Sequence, residues 1–138
     1  ALQKLRVKSE RLLRPNQVAN EVKGGYQEII VRVPPDTERW CGVHLMDGHD
    51  NDVLIGYDSV NGVVVADCRH AEGEISAMPV VPPAMSDMVL HIFVDGSILE
   101  VYVDDLYPLS ARFYVPKPQS LHARLVGEGK ADLYQIRI

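Results

Sequence analysis

From Tyr26 to the carboxy terminus, apolar residues occur only in runs of about four to seven, rich in Val and Ile and separated by Gly, Pro, Asp or Asn. An amphipathic helix needs roughly ten or more residues of 3.6-fold period to bury a stripe, so runs this short are strand grammar. Nine of them read as strands: 26–33 (YQEIIVRV), 40–46 (WCGVHLM), 53–58 (VLIGYD), 63–68 (VVVADC), 89–94 (VLHIFV), 98–103 (ILEVYV), 110–115 (SARFYV), 121–126 (LHARLV) and 131–138 (ADLYQIRI). Turn signals lie between them at Pro34-Pro35-Asp36, Asp47-Gly48, Asn61-Gly62, Asp95-Gly96 and Gly127-Glu128-Gly129. With no helical pattern between the strands, a βαβ architecture is excluded. The expectation is an all-β chain: a two-sheet antiparallel β-sandwich of the jelly-roll or concanavalin-like kind.

Two stretches read differently. Leu2, Leu5, Leu12 and Leu13, with Lys4, Arg6, Lys8 and Arg11 between them, suit either a short helix or an edge segment. The 69–88 segment (RHAEGEISAMPVVPPAMSDM) contains Pro79, Pro82 and Pro83 and reads as an irregular crossing from one sheet to the other. Residues 1–25 are accordingly read as a linker segment and 26–138 as the sandwich.

A chain of 138 residues can bury roughly two-thirds of its unfolded surface, enough for one core without covalent staples. Fourteen Lys and Arg against 19 Asp and Glu leave a net charge of -5, which offers no basic field to a phosphate backbone and argues against nucleic acid as a partner. No apolar stretch approaches the roughly 18 residues of a membrane span, and the amino terminus lacks the charged-then-apolar pattern of a signal peptide. Cys41 and Cys68 sit in or beside apolar runs and read as reduced core thiols or one optional disulfide. They leave the compartment open, extracellular or periplasmic ahead of cytoplasmic.

The most informative stretch is 91–105, HIFVDGSILEVYVDD. Asp-Gly between alternating runs signals a tight hairpin. Placing Asp95-Gly96 at the turn pairs Val94 with Ser97, Ile92 with Leu99 and His91 with Glu100. Leu90, Ile92, Val94, Leu99 and Val101 then share the core face, and His91, Phe93, Ile98, Glu100 and Tyr102 the other. On that register Glu100 is either a cross-strand partner of His91 or a ligand-binding carboxylate.

The stretch LHIFVDGSILEVYVDD, followed by LSARFYVP, resembles the signature of the carboxy-terminal β-sandwich of glycoside hydrolase family 32, the invertases, levanases and inulinases. The family's Asp-x-Ser, hydrophobic pair and Glu fall on Asp95, Ser97 and Glu100, and its Ser-Arg-x-Tyr-Pro-like element on Arg112, Tyr114 and Pro116. Upstream, IGYDSVNGVVVADCR is similar to the family's Tyr-Asp and Asp-Arg elements, and Leu2, Leu5 and Arg6 to the segment that leaves the family's propeller. The resemblance implies a partner: an amino-terminal five-bladed propeller carrying an aspartate nucleophile, a stabilising aspartate and a glutamate acid/base. The parent would hydrolyse β-fructofuranosides with retention. None of those catalytic motifs occurs in these 138 residues. Asp95 and Glu100 could lie as close as the roughly 5–5.5 Å that a retaining pair needs, but a short exposed hairpin gives them no deep subsite. No catalytic residue, metal or cofactor is therefore assigned.

Two roles remain open. In one, the domain is a non-catalytic accessory module that supports the parent hydrolase, and isolation would expose an apolar docking face including Trp40 or Val80-Val81. In the other, it is a fructan-binding carbohydrate-binding module that recognises terminal fructose in a fructose-containing oligosaccharide. Furanose hydroxyls call for carboxylates, Arg donors and an aromatic face, and the candidates are Asp95, Glu100, Arg112, Arg69, Tyr57 and Asp58. Whether the parent acts on sucrose, inulin or levan is not encoded here. The loop MDGHDNDV (46–53) gathers carboxylates without EF-hand spacing and reads as a solvated hairpin loop. The histidines at 44, 70, 91 and 122 lack zinc spacing, and Cys68 beside Arg69 and His70 reads as a buried strand thiol sooner than a reactive one. Trp40, the only tryptophan, is core or a stacking platform.

Overall fold

The computed structural model describes residues 5–137. Among the described residues eleven strands run β1 Arg6–Leu12, β2 Tyr26–Val33, β3 Trp40–Met46, β4 Asp52–Asp58, β5 Val63–Asp67, β6 Ile75–Pro79, β7 Met88–Asp95, β8 Ile98–Val103, β9 Tyr107–Arg112, β10 His122–Val126 and β11 Lys130–Ile136. They form two antiparallel sheets, one ordered β1-β11-β2-β7-β8-β9 and the other β10-β3-β4-β5-β6. This is the two-sheet sandwich that the alternating apolar runs demand. Ile29, Val31, Leu90, Ile92, Leu99, Val101 and Leu133 of the first sheet close on Cys41, Val43, Leu45, Ile55, Val64 and Leu125 of the second. Each buried Val, Ile or Leu contributes about 1.5–3 kcal/mol, which makes this interlayer the main source of stability.

The segment before Tyr26 is built into the sandwich from Arg6 on. Residues 6–12 pair with β11 as the outer strand of the six-stranded sheet, so the helix alternative falls, while Leu2 and Lys4 lie outside the described residues. Leu12, Ala19 and Val22 are buried, and Val18 bridges Arg124 of β10. The 69–88 segment is not irregular throughout. Ile75–Pro79 pairs with β5 as an edge strand, and Pro79 is tolerated because it is the last residue of a strand with one neighbour. The expected 110–115 strand is displaced to Tyr107–Arg112, since Asp104 and Asp105 both adopt positive φ and turn the chain earlier than the apolar pattern suggests. Phe113 and Val115 are nevertheless buried, and beyond one backbone hydrogen bond from the Phe113 N–H to the Ser97 carbonyl their alternation reports packing more than pairing. The last strand ends at Ile136, and Ile138 lies outside the described residues.

The hairpin register also differs from expectation. Asp95 pairs with Ile98, Val94 with Leu99, Phe93 with Glu100 and His91 with Tyr102. The two turn residues are therefore Gly96 and Ser97, and only Gly96 has positive φ, at 65°. That is the dihedral pattern of a II′ turn, with glycine at its first central position, and not the I′ turn that Asp-Gly suggests. A shift of two residues preserves the faces, so the core side is as expected, but it separates His91 from Glu100.

Candidate functional site

The six sugar-ligand candidates divide between the two sheets. Tyr57 points into the core from β4 and is 8% exposed. Asp58 closes the β4–β5 turn, its carboxylate accepting from the backbone N–H of Val60 at 3.0 Å and from the side-chain amide of Asn61 at 2.7 Å. The Asn61 hydrogen bond holds the Asp58 pKa below the usual range. Arg69 is clamped to Asp67 by two side-chain hydrogen bonds, Nε at 2.9 Å and Nη2 at 2.8 Å, and this pairing lowers the Asp67 pKa. On the other sheet, Glu100 accepts from the Tyr102 hydroxyl at 2.7 Å, which raises the tyrosine pKa. Asp95 is the exposed last residue of β7, and exposed Arg112 ends β9. Arg112 lines a shallow cleft of about 570 Å³ with Glu72, Glu74 and Tyr114. Asp95 and Arg112 flank Ile98 across the sheet. The structure gathers the six into no single pocket.

A more tightly built cluster, missed in the sequence, lies on the outward face of the six-stranded sheet. Alternation from the core places Tyr26, Glu28 and Ile30 of β2, His91 and Phe93 of β7, Ile98 and Tyr102 of β8, and Tyr134 of β11 on this face. Glu28, although outward, is only 2% exposed. Arg6 Nε donates to it at 2.7 Å and His91 Nε2 at 2.6 Å. The Arg6 guanidinium also stacks 3.7 Å above the Tyr134 ring, His91 packs on Phe93 with centroids 4.4 Å apart, and Phe93 meets Tyr102 edge-on at 6.0 Å. Burial alone would raise the Glu28 pKa, but the Arg6 and His91 hydrogen bonds outweigh it and hold the carboxyl below its usual range.

A cleft of about 750 Å³ opens at the end of the sandwich where β3 begins, between the 34–39 connection and the Gly127-Glu128-Gly129 turn. Trp40 lines it, and its indole Nε1 is buried without a partner among the described residues. Val81 and Met85, each 94% exposed, lie on the neighbouring 80–87 segment, whereas Val80 packs against the core.

The weaker signals resolve into local structure. Asp47 is buried and accepts from the backbone of His49 at 2.8 Å and the side chain of Asn51 at 2.9 Å, which folds the 46–53 loop on itself. Among the described residues, no three His, Cys, Asp or Glu side chains are placed to hold a metal. His44 contacts Asp52 at 2.8 Å, and His122 contacts the Ser120 carbonyl at 2.9 Å. Cys41 and Cys68 are free and buried, and burial pushes both thiols up to about 11, away from reactivity.

No curated protein matches the chain by sequence. Among solved structures it superimposes on an exo-inulinase from Aspergillus awamori with a TM-score of 0.79 at 20% identity, covering 99% of this chain and 31% of that one. A sucrose-6-phosphate hydrolase from Lactobacillus gasseri gives 0.76 at 17% identity, with 99% and 29% covered. A galectin from Caenorhabditis elegans gives 0.64 at 11% identity, with 93% and 96% covered. At these identities the likeness is one of fold, and the chain spans less than a third of either hydrolase. The family model described as "Glycosyl hydrolases family 32 C terminal" matches residues 1–138. This sandwich, with its Asp95–Glu100 hairpin, belongs to the carboxy-terminal domain family of the family 32 glycosyl hydrolases.

Proposed function

We propose that the chain is a non-catalytic accessory module, seated on the amino-terminal catalytic domain of a β-fructofuranoside-hydrolysing enzyme and stabilising it. One observation carries this reading: beside the charged Arg32, Glu100 and Asp132, the outward face of the six-stranded sheet carries a patch of aromatic and aliphatic side chains. A sheet with one solvated face alternates apolar inward and polar outward, and a sheet covered on both sides does not. Here Tyr26, Ile30, Phe93, Ile98, Tyr102 and Tyr134 point away from the core, and Glu28 lies buried among them. Arg6, at the start of β1, reaches onto the same face, so the route by which the chain enters the sandwich and the apolar surface adjoin.

The fructose-recognition alternative is less well supported at the residues first picked out for it. Tyr57, Asp58, Arg69 and Glu100 are occupied by internal packing or hydrogen bonds, and only Asp95 and Arg112 remain free of side-chain partners among the described residues.

Hydroxyl-radical footprinting tests the accessory reading by comparing these 138 residues alone with the same residues in the full-length enzyme. Docking through this face predicts that Phe93, Tyr102 and Tyr134 lose reactivity in the full-length protein while Met85 stays reactive. Protection of Met85 instead would move the docking face to the 80–87 segment. No protection at either place would refute the accessory role.

A further inference from the structure

We propose that the cleft at Trp40 is a binding site for a neutral saccharide, distinct from the six residues considered above. Its volume of about 750 Å³ falls within the range of small-molecule sites, roughly 300–1,000 Å³. The lining carries three cations, Arg32, Arg39 and Lys130. Against them stand Asp36, Glu38, Asp87 and Glu128. Three positive and four negative charges nearly cancel, so the cleft has no field with which to collect a phosphate, as a nucleotide or sugar-phosphate site would need. It is instead dense in both donors and acceptors. A neutral molecule bearing hydroxyls on successive carbons can use both at once: carboxylates accept from its O–H groups, and guanidinium and ammonium groups donate to its oxygens. Arg32 is engaged with Asp132 at 3.0 Å, but among the described residues Arg39 and Lys130 take part in no ion pair, which leaves two cationic donors for a ligand.

Trp40 adds the apolar component as one wall of the cleft. Its indole N–H, without an acceptor among the described residues, is buried on the ring edge that packs against Gly56 of β4. The wall behind it is rigid. A Cβ at Gly127 would stand 2.1 Å from the Trp40 carbonyl oxygen, and one at Gly129 would stand 2.7 Å from the Arg32 carbonyl oxygen, so backbone closes directly on backbone. A preformed cleft of this kind loses little conformational freedom when a ligand enters.

Because Trp40 is the only tryptophan, its emission reports on the cleft alone. The 138-residue chain is titrated with sucrose, with inulin-type and levan-type fructo-oligosaccharides and with maltotriose, by fluorescence and by calorimetry; fructose 6-phosphate is the charged comparison. The expected result is a saturable emission change and heat with at least one neutral sugar, stronger than with the phosphate. Arg39→Ala and Glu128→Gln should each weaken it about tenfold, the loss of one charge-assisted hydrogen bond, and Glu100→Ala should leave it unchanged. Both altered residues are exposed, so their variants remain informative even if Trp40→Phe, followed by calorimetry, fails to fold. Three outcomes overturn the proposal: no saturable signal with any neutral sugar at millimolar concentration, a preference for the phosphate, or binding lost in Glu100→Ala and kept in Arg39→Ala and Glu128→Gln. None of these outcomes bears on the docking of the six-stranded sheet.

Discussion

Replacing Glu28 by alanine should destabilise the isolated domain by about 2–3 kcal/mol, more than removing any of the carboxylates that the hairpin motif draws attention to. The side chain is 3% exposed and accepts two charge-assisted hydrogen bonds, from Arg6 and His91, whose own side chains are 22% and 24% exposed. Such a bond contributes about 1.5–3 kcal/mol when well buried, and the partial hydration of both donors places each nearer the bottom of that range. For a chain of this length, 2–3 kcal/mol corresponds to a fall in Tm of roughly 10 °C, measurable by circular dichroism. Glu28→Gln, which keeps the shape but not the charge, should lose somewhat less. The pH dependence has a definite sign. The folded-state pKa of Glu28 lies below its ordinary value, so the stabilisation is present above the unfolded value near 4.5 and is lost as pH falls through the lower folded value. The gap between native protein and Glu28→Gln must therefore narrow in acid. A double-mutant cycle with Arg6→Ala isolates the pair: if Arg6→Ala costs as much in the Glu28→Ala background as in the native one, the two are uncoupled and the reasoning fails. A Tm change of less than about 1 °C for Glu28→Ala would defeat it outright.

Three further outcomes follow from the same structure. Gly96→Ala should cost about 1–2 kcal/mol because φ there is +65°, whereas Asp95→Ala should stay within about 0.5 kcal/mol; the reverse order in thermal melts would restore the Asp-Gly turn. Gly42→Ala should cost about 3 kcal/mol or abolish folding, since a Cβ would stand 2.1 Å from the Ile55 carbonyl oxygen and 2.5 Å from Gly56 Cα; a soluble variant with native Tm would contradict the close approach of β3 and β4. Burial raises the Cys41 and Cys68 thiols from 9.0 to about 11, so each contributes stability that is complete below pH 9 and is lost as pH climbs towards 11; Cys68→Ala should flatten the alkaline fall in Tm, and an unchanged pH profile would refute it.

The central strands were legible because their two requirements coincide. β2, β3 and β8 each lie between paired neighbours, so β-branched runs bounded by Pro, Gly or Asp mark them end to end, and their limits fall where the sequence placed them. The edges were not legible in this way. β1 buries Leu12 alone among its residues, and β6 buries none of its five and ends in proline, so neither carries the alternation of buried apolar residues that betrays a strand with a neighbour on each side. The hairpin register failed for a subtler reason. Asp-Gly and Gly-Ser overlap in the same four residues, both are acceptable turn centres, and the two registers they specify have identical faces, so the hydrophobic pattern cannot choose between them.

The site was harder to read because residue type is local and environment is not. Glu28 sits in an apolar run much as Glu100 does, yet its partners arrive from 22 and 63 positions away, and no local rule ranks one carboxylate above the other. Strand ends are places where ligand residues can converge, but the six sugar-ligand candidates do not, and the same position obliges a polar side chain to satisfy the turn it borders. Asp58 meets the N–H groups of its own turn, and Arg69 folds back on Asp67 two residues earlier. A polar side chain at a strand end is thus free to serve a ligand only where the turn beside it is already closed by something else. Gly96 closes the β7–β8 turn by its own positive φ and thereby leaves Asp95 exposed. At Trp40 the backbones of Gly127 and Gly129 close the wall, and Arg39 and Glu128 stay exposed at its rim. Glycine closure is not sufficient by itself, since Gly48 and Gly62 also take positive φ while Asp47 and Asp58 are drawn into the turns beside them; a polar group is spare only where the turn asks nothing of its side chain.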